Sequence, residues 1–267
     1  MQKKVVIITG ASSGIGKALA EKYASEGWNL VLAARREERL LELKEKLNHV
    51  EILAVKADVT SESDCKNLID KTAGRFGQID VLINNAGISM RALFNQTDTD
   101  VLRKVMDVNY WGTVYCTKYA MPWLLNSKGS LVGVISVGGY IGLPGRAGYS
   151  ASKFAVRGFL ETIRVENLKT GLHVLVAAPG FTSSEIRKSA LLANGEQQGE
   201  TPRNENNMMS AEECAAHIFK AVKKRKRELV LTFAEGKLTV FLSKFFPRFI
   251  DKMSYKIFAK EPDSPFK

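Results

Sequence analysis

Residues 4–16 read KVVIITGASSGIG, and the fold turns on how they are taken. Val5 to Ile8 form an unbroken β-branched run, the pattern of a strand buried on both faces. TGASSGIG, Thr9 to Gly16, then makes a turn that opens a helix. Gly10 permits the tight turn, Gly14 lets the backbone approach a pyrophosphate, and Gly16 lets helix and sheet pack closely. Ser12, Ser13 and Ile15 complete the candidate phosphate-facing set, and the helix N-terminus offers free N–H groups to an anion. Glycine-rich turns are common; a strand before and a helix after make this one informative.

The same grammar repeats outward. The runs KVVIITG, NLVLAAR, EILAVKAD, IDVLINNAG, GSLVGVISV and HVLVAAPG read as strands. Helical patterns lie between them at 15–27, 37–47, 62–76, 99–125 and 149–169. Alternating β and α segments predict an α/β fold, a doubly wound parallel sheet with helices on both faces, in one Rossmann-type domain spanning 1–267. No Pro/Gly/Ser-rich linker and no internal repeat divides it. Residues 182–209 are polar and turn-rich, a loop length that reads either as a substrate lid or as a surface excursion.

The chain has 267 residues, 45% of them hydrophobic, enough for a full core. MQKKVVIITG runs directly from a short basic start into a strand, with no signal-peptide pattern, and no window is apolar enough to span a membrane. Cys65, Cys116 and Cys214 are odd in number and far apart. They fit neither a disulfide framework nor a metal site, and read as reduced thiols in a cytoplasmic protein. The formal charge is +11; residues 215–267 hold 13 Lys/Arg and 5 Asp/Glu, so +8 of it lies there and +3 in the first 214 residues.

About 20 residues after such a glycine turn, a dinucleotide fold places the residue that meets the adenosine ribose. Here the strand ends in LAARREERL, with Arg35 and Arg36 and no acid. Guanidinium groups bind a 2′-phosphate strongly, so NADP(H) is the expected cofactor, with Arg35 the main contact. Arg36 reads alternatively as the residue that opens the second helix before Glu37 and Glu38. Asp58, followed by Val59 in ADVT, is placed either to accept from an adenine amino group or to cap the next helix.

YSASK, Tyr149 to Lys153, puts a phenol and an ammonium on one helix face. A free phenol ionises near a pKa of about 10, and a neighbouring cation lowers that value. The pair is a candidate tuned acid/base, although a chain with seven tyrosines reaches YxxxK by chance easily enough for the motif to need support.

That support is the order of the motifs. TGASSGIG at 9–16, NNAG at 84–87, VNYWG around Asn109, VISV around Ser136, YSASK at 149–153 and PG at 179–180 together make the chain resemble the short-chain dehydrogenase/reductase family over about residues 4–209. The glycine and YxxxK spacings fit its ordinary carbonyl/alcohol members. The resemblance implies a catalytic set of Asn109, Ser136, Tyr149 and Lys153. Tyr149 exchanges the proton with the substrate oxygen, Lys153 lowers the phenol pKa and meets the nicotinamide ribose, Ser136 holds the substrate oxygen, and the Asn109 side chain holds a water that links Lys153 to solvent. Read without the resemblance, Ser136 is a strand-end turn residue and Asn109 a buried amide bonded to backbone. The resemblance also places Asn85, Ala86 and Gly87 against the cofactor ribose, leaves Asn84 structural, and puts Pro179 and Gly180 on the nicotinamide side. PGFTSS departs from the usual PGxxxT, so Thr182 and Ser184 both stand for the carboxamide contact. Ser13 is Lys or Arg in some NADP-preferring relatives, which leaves cofactor preference to Arg35 and Arg36.

After the basic run 223–227, Leu238, Phe241, Leu242 and Phe245 recur at helical spacing; Pro247 breaks the pattern, and Phe249, Ile250, Met253 and Ile257 restart it. Residues 236–260 therefore read as a basic amphipathic C-terminal extension of two short helices. Three uses compete: packing on its own domain or a subunit interface, peripheral contact with an anionic membrane through 237–260, and nucleic-acid binding, which no nucleic-acid motif supports. The expected activity is NADP(H)-dependent interconversion of a carbonyl and an alcohol on a small, apolar substrate, in a homodimer or homotetramer. The alternative is a non-catalytic NADP(H)-sensing regulator.

Overall fold

The computed structural model describes residues 3–201, 208–262 and 264–266. Seven strands, β1 (Val5–Thr9), β2 (Asn29–Ala34), β3 (Ile52–Lys56), β4 (Val81–Asn84), β5 (Ser130–Val134), β6 (His173–Ala178) and β7 (Glu228–Val230), form one parallel sheet in the order β3-β2-β1-β4-β5-β6-β7. Val6 sits opposite Leu30 on one side and Val81 on the other. The strand order reverses between β1 and β4, and that switch point opens the crevice where such sheets take ligands.

Alternation along β1 explains the two cores. Val6 and Ile8 face α1 (Gly14–Ser25), α2 (Glu37–Lys46) and α7 (Ala211–Lys223); Val5 and Ile7 face α3 (Glu62–Phe76), α5 (Gly112–Asn126) and α6 (Ala147–Glu166). On the first face Tyr23 meets Trp28 and Phe219 edge-on at 5.1 and 4.9 Å. Emptying that contact with Phe219→Ala costs about 3–5 kcal/mol. The Ser61 hydroxyl starts α3 by accepting from Asp64 N at 3.2 Å, and Gly77, at φ 68°, ends it. Ser61, not Asp58, is therefore the cap of this helix.

Two sequence expectations change. The helix expected at 99–125 is α4 (Thr99–Met106), a wide π turn over Asp107–Trp111, and α5. The expected helix at 149–169 runs from Ala147 to Glu166, which sets Tyr149 in its first turn.

The C-terminal extension does form two helices, α8 (Thr239–Phe245) and α9 (Pro247–Ala259), and Pro247 is the first residue of the second one. There its missing N–H costs nothing. Val240 and Ile250 pack with Val137 and Ile141 on the domain, backed by Leu242 and Met253. Much of the apolar stripe read from the sequence points the other way: Phe241, Phe245 and Phe249 are exposed. Beyond α9, Glu261 is buried and bridges Arg91 and Arg146 through one carboxylate oxygen, at 3.5 and 3.3 Å.

The segment 182–209 follows β6; its residues 202–207 lie outside the described ones. It is tied to the chain after β4 by Leu191 N donating to Ser89 O and Arg91 N donating to Leu191 O, at 2.9 and 2.8 Å. Met90, Ala92, Val101, Val105, Tyr149 and Leu191 form a third apolar cluster there, flanked by Ile88, Leu143 and Ile186.

Candidate active site

The chain leaves β5 and reaches Ser136 in extended conformation, where its hydroxyl accepts from Gly138 N at 3.2 Å. The Ser136 hydroxyl also acts on the Tyr149 phenol in the direction that favours its ionised form. Lys153, one turn further along α6, is buried; its Nζ donates to Val134 O at 3.0 Å and lies 5.8 Å from the Tyr149 ring centroid. Gly87 closes the cluster from β4. A Cβ there would sit 3.1 Å from Asn109 Oδ1 and 3.3 Å from Lys153 Nζ, so the absent side chain is what allows the approach.

Asn109 occupies the π turn, and its side chain is held by Ile88 and Ser152. Oδ1 accepts from Ile88 N at 2.8 Å, and Nδ2 donates to Ile88 O and Ser152 Oγ at 3.0 and 2.8 Å. Both amide hydrogens are engaged in tying the chain after NNAG to α6. This is the buried amide that the residue-by-residue reading kept open.

Burial dominates the electrostatics of the pair. Burial pushes the Tyr149 phenol above its ordinary range, while the Ser136 hydrogen bond and the charges of Arg146 and Arg187 pull it back. Burial also acts on Lys153 and lowers its pKa to about 8.

The glycine turn faces this cluster across the switch point. Gly10 and Gly14 have φ of 66° and 51°, and a Cβ on Gly16 would lie 2.2 Å from Gly10 O; no larger residue fits. Ser13 begins α1 without a side-chain cap, and no acid lies in the first turn, so the end of the helix is left to an anion. Ile15 packs partly against the core beside it. Asn85 Nδ2 donates to Thr9 O at 3.0 Å and holds NNAG onto β1, Ala86 lies against Gly10, and Asn84 donates to Thr117. Arg36 Nη2 donates to the hydroxyls of Ser12 and Ser13 at 3.0 and 2.9 Å, whereas Arg35 is exposed. Asp58 Oδ1 accepts from Thr60 N and Thr60 Oγ1 at 3.0 and 2.9 Å, a local turn that leaves Oδ2 without a described partner. Val59 packs on Gly112.

On the opposite side Pro179 is buried and Gly180 lies under Thr232. Thr182 is buried and donates to Gly180 O at 3.3 Å; Ser184 lies over Gly14, 3.1 Å from where a Cβ would be. Sequence reasoning missed Thr232, at φ 64° with a buried hydroxyl that has no hydrogen-bond partner. It also missed Arg39 and Glu185, and the Arg91–Glu261–Arg146 cluster beside α6. All are long-range pairings or backbone geometry without a local signature.

A family model described as short chain dehydrogenase matches residues 4–194. An 11-beta-hydroxysteroid dehydrogenase A of Sesamum indicum is 43% identical over 198 residues; the match covers 73% of this chain and 57% of that relative's own length. A dehydrogenase/reductase SDR family protein 7-like of Dictyostelium discoideum is 36% identical over 264 residues, 96% of this chain and 82% of the relative. Among solved structures, an alcohol dehydrogenase from the archaeon Thermococcus sibiricus complexed with 5-hydroxy-NADP aligns with a TM-score of 0.77 at 25% identity, covering 86% of this chain and 96% of that one. A short-chain dehydrogenase from Streptomyces avermitilis shares the fold, with a TM-score of 0.81 at 24% identity over 97% of this chain and 98% of that one.

Proposed function

The chain belongs to the short-chain dehydrogenase family, and from that premise we propose that it is an NADP(H)-dependent oxidoreductase that interconverts a carbonyl and an alcohol on an apolar substrate. The observation that carries the reading is the buried phenol of Tyr149, with Lys153 Nζ 5.8 Å from its ring centroid and the apolar cluster of Met90 and Leu191 around it. A polar proton donor at an apolar wall suits a substrate whose only polar atom near the reaction is the oxygen being protonated.

The residues fit the cofactor. A Cβ-free turn, an uncapped helix end and the Ser12–Ser13–Arg36 group supply room, dipole and donors for a phosphorylated dinucleotide. We assign its contacts to Gly10, Ser12, Ser13, Gly14, Ile15, Gly16, Arg35 and Arg36, with Asp58 and Val59, the backbone of Asn85 to Gly87, Tyr149 and Lys153, and Pro179, Gly180, Thr182 and Ser184 on the far side. When bound, the nicotinamide supplies or accepts the hydride. Tyr149 donates its proton to the carbonyl oxygen in reduction and accepts one from the alcohol in oxidation. Ser136 orients that oxygen. Lys153, at about 8, holds a proton near neutrality that it can return to the phenol. Asn109 fixes the distance between NNAG and α6.

Tyr149→Phe, which keeps shape and burial, is expected to lower turnover at least about 100-fold on any ketone or alcohol the parent accepts, read at the reduced-nicotinamide absorbance band. Full activity in that variant refutes the acid/base assignment; a parent that binds the nucleotide but turns over no ketone or alcohol returns the protein to the alternative of an NADP(H)-sensing regulator.

We assign two surfaces to partners. Trp111, Phe154, Val165 and Leu168 leave apolar groups exposed along α5 and α6 and at their ends, which suits a homodimer or homotetramer; a monomer by sedimentation removes this assignment. On α8 and α9, Phe241, Phe245, Phe246 and Phe249 are 58, 63, 60 and 58% exposed among Lys244, Arg248 and Lys252. Exposed rings rimmed by cations suit an anionic bilayer. No described helix is long and apolar enough to cross a membrane; we assign the contact as peripheral, on the cytoplasmic side. Phe241→Ser with Phe245→Ser and Phe249→Ser should abolish flotation with phosphatidylserine vesicles. Equal recovery of parent and variant in the lipid-free fraction rejects the membrane contact.

A further inference from the structure

Glu185 lies at the start of the lid segment, and nothing in the motif pattern gives it a role. Its carboxylate reaches back across the mouth of the crevice to the cationic group beside the glycine turn. Oε2 accepts from Arg36 Nη1 at 3.1 Å, and Oε1 accepts from Arg39 Nη1 at 3.0 Å. Arg36 is the same guanidinium that binds the hydroxyls of Ser12 and Ser13. An oxyanion held by a guanidinium already braced on two serine hydroxyls is the chemistry a phosphate monoester asks for. Partial burial works against ionisation of Glu185, but the bonds from Arg36 and Arg39 outweigh it and hold the carboxyl below its ordinary range, so the anion is present at neutral pH.

Two neighbouring observations bear on the place this carboxylate occupies. Ser184 covers Gly14, the glycine whose bareness lets a phosphate approach. A cavity of about 760 Å³ opens beside them, lined by Ser12, Ser13, Gly14, Lys17, Arg39 and Glu185 among others. It gives a displaced side chain room to go.

We propose that Glu185 is a resident competitor for the coenzyme's 2′-phosphate, whose carboxylate leaves Arg36 and Arg39 when the phosphate arrives and thereby releases the lid from the glycine turn. One anion exchanges for another, so the guanidinium pair is never left without a counter-charge. A ligand with a 2′-hydroxyl cannot make the exchange. The residue lowers affinity for the phosphorylated dinucleotide, and by re-engaging Arg36 and Arg39 it favours release of the coenzyme after turnover. This inference rests on the NADP(H) reading above.

The test uses 2′,5′-ADP and 5′-ADP as probes, in calorimetric titrations of the full chain at low ionic strength. The ion pairs are about half exposed (Glu185 side chain 50%), which limits their strength to about 1 kcal/mol, or about fivefold. Glu185→Gln and Glu185→Ala should each bind 2′,5′-ADP about two- to fivefold more tightly than the parent, with 5′-ADP unchanged. An unchanged or weakened affinity for 2′,5′-ADP in both variants overturns the proposal, as does an equal gain for both nucleotides. If the parent fails to distinguish 2′,5′-ADP from 5′-ADP, the coenzyme reading fails and this inference falls with it. If the parent distinguishes them and the variants match it, the inference alone fails.

Discussion

Replacing Lys153 by Met should make the protein more stable at neutral pH while removing its activity. Burial lowers the Lys153 pKa from its ordinary 10.5 to about 8. At 1.36 kcal/mol per pH unit, holding this ammonium charged inside the folded protein costs about 3 kcal/mol. The sign follows from proton binding. Between about pH 8 and 10.5 the unfolded chain keeps a proton that the folded chain has lost, so stability rises with pH across that window. Below about pH 8 both states carry the proton, and the full cost applies. Methionine is close in length and apolar, so the cost disappears. The bond from Nζ to Val134 O is lost as well, which offsets about 1 kcal/mol. The expected result is a variant about 2 kcal/mol more stable than the parent at pH 7, with an advantage that shrinks and then reverses towards pH 10.5. Urea unfolding followed by tryptophan fluorescence at pH 7, 9 and 10 measures it. Titrating groups common to both proteins cancel in the difference. A gap that stays constant from pH 7 to 10 would refute the assignment of a depressed lysine, whatever its sign.

Two further outcomes concern charge. Arg36→Ala should weaken NADPH by about tenfold relative to NADH in equilibrium titrations, with a smaller change for Arg35→Ala, because only Arg36 is braced on Ser12 and Ser13; the opposite ranking would restore Arg35 as the principal contact. Glu261→Gln removes the counter-charge shared by Arg91 and Arg146 and should destabilise the protein by about 3 kcal/mol in urea, since two guanidinium groups are left enclosed. A loss below about 1 kcal/mol would show that the cluster is more hydrated than its burial indicates.

The sheet was legible because strands covered on both faces are written as unbroken Val/Ile/Leu runs, and six of the seven ends fell within the quoted stretches. The glycine turn was legible because its residues are fixed by backbone geometry, which a sequence spells out directly. The π turn at Asp107–Trp111 was not, since a single wide turn changes neither composition nor period enough to see; it decides what Asn109 holds. That Arg36 rather than Arg35 would be braced on Ser12 and Ser13 was not legible either, since those bonds join residues 23 and 24 positions apart. In the C-terminal helices the periodicity and the role of Pro247 could be read, but not which side would pack. Val240 and Ile250 face inward while Phe241 and Phe249 face out, because the partner surface of Val137 and Ile141 comes from another part of the chain. The electrostatic balance at Tyr149 was hidden for the same reason. Burial of the phenol, and the approach of Arg187 from the segment after β6, are properties of the assembled site.

The pairing of β1 with β4 has a kinetic consequence. β1, β2 and β3 come together through one crossover each, and so do β4, β5 and β6, whereas Val6 must find Val81 across the whole of the first half. Such a long closure makes the junction a late event in folding. Thr9, Gly10, Asn85 and Ala86 stand on opposite banks of it and touch. A dinucleotide lying in the crevice grips both banks at once, so it should slow the parting of the two halves more than it speeds their meeting.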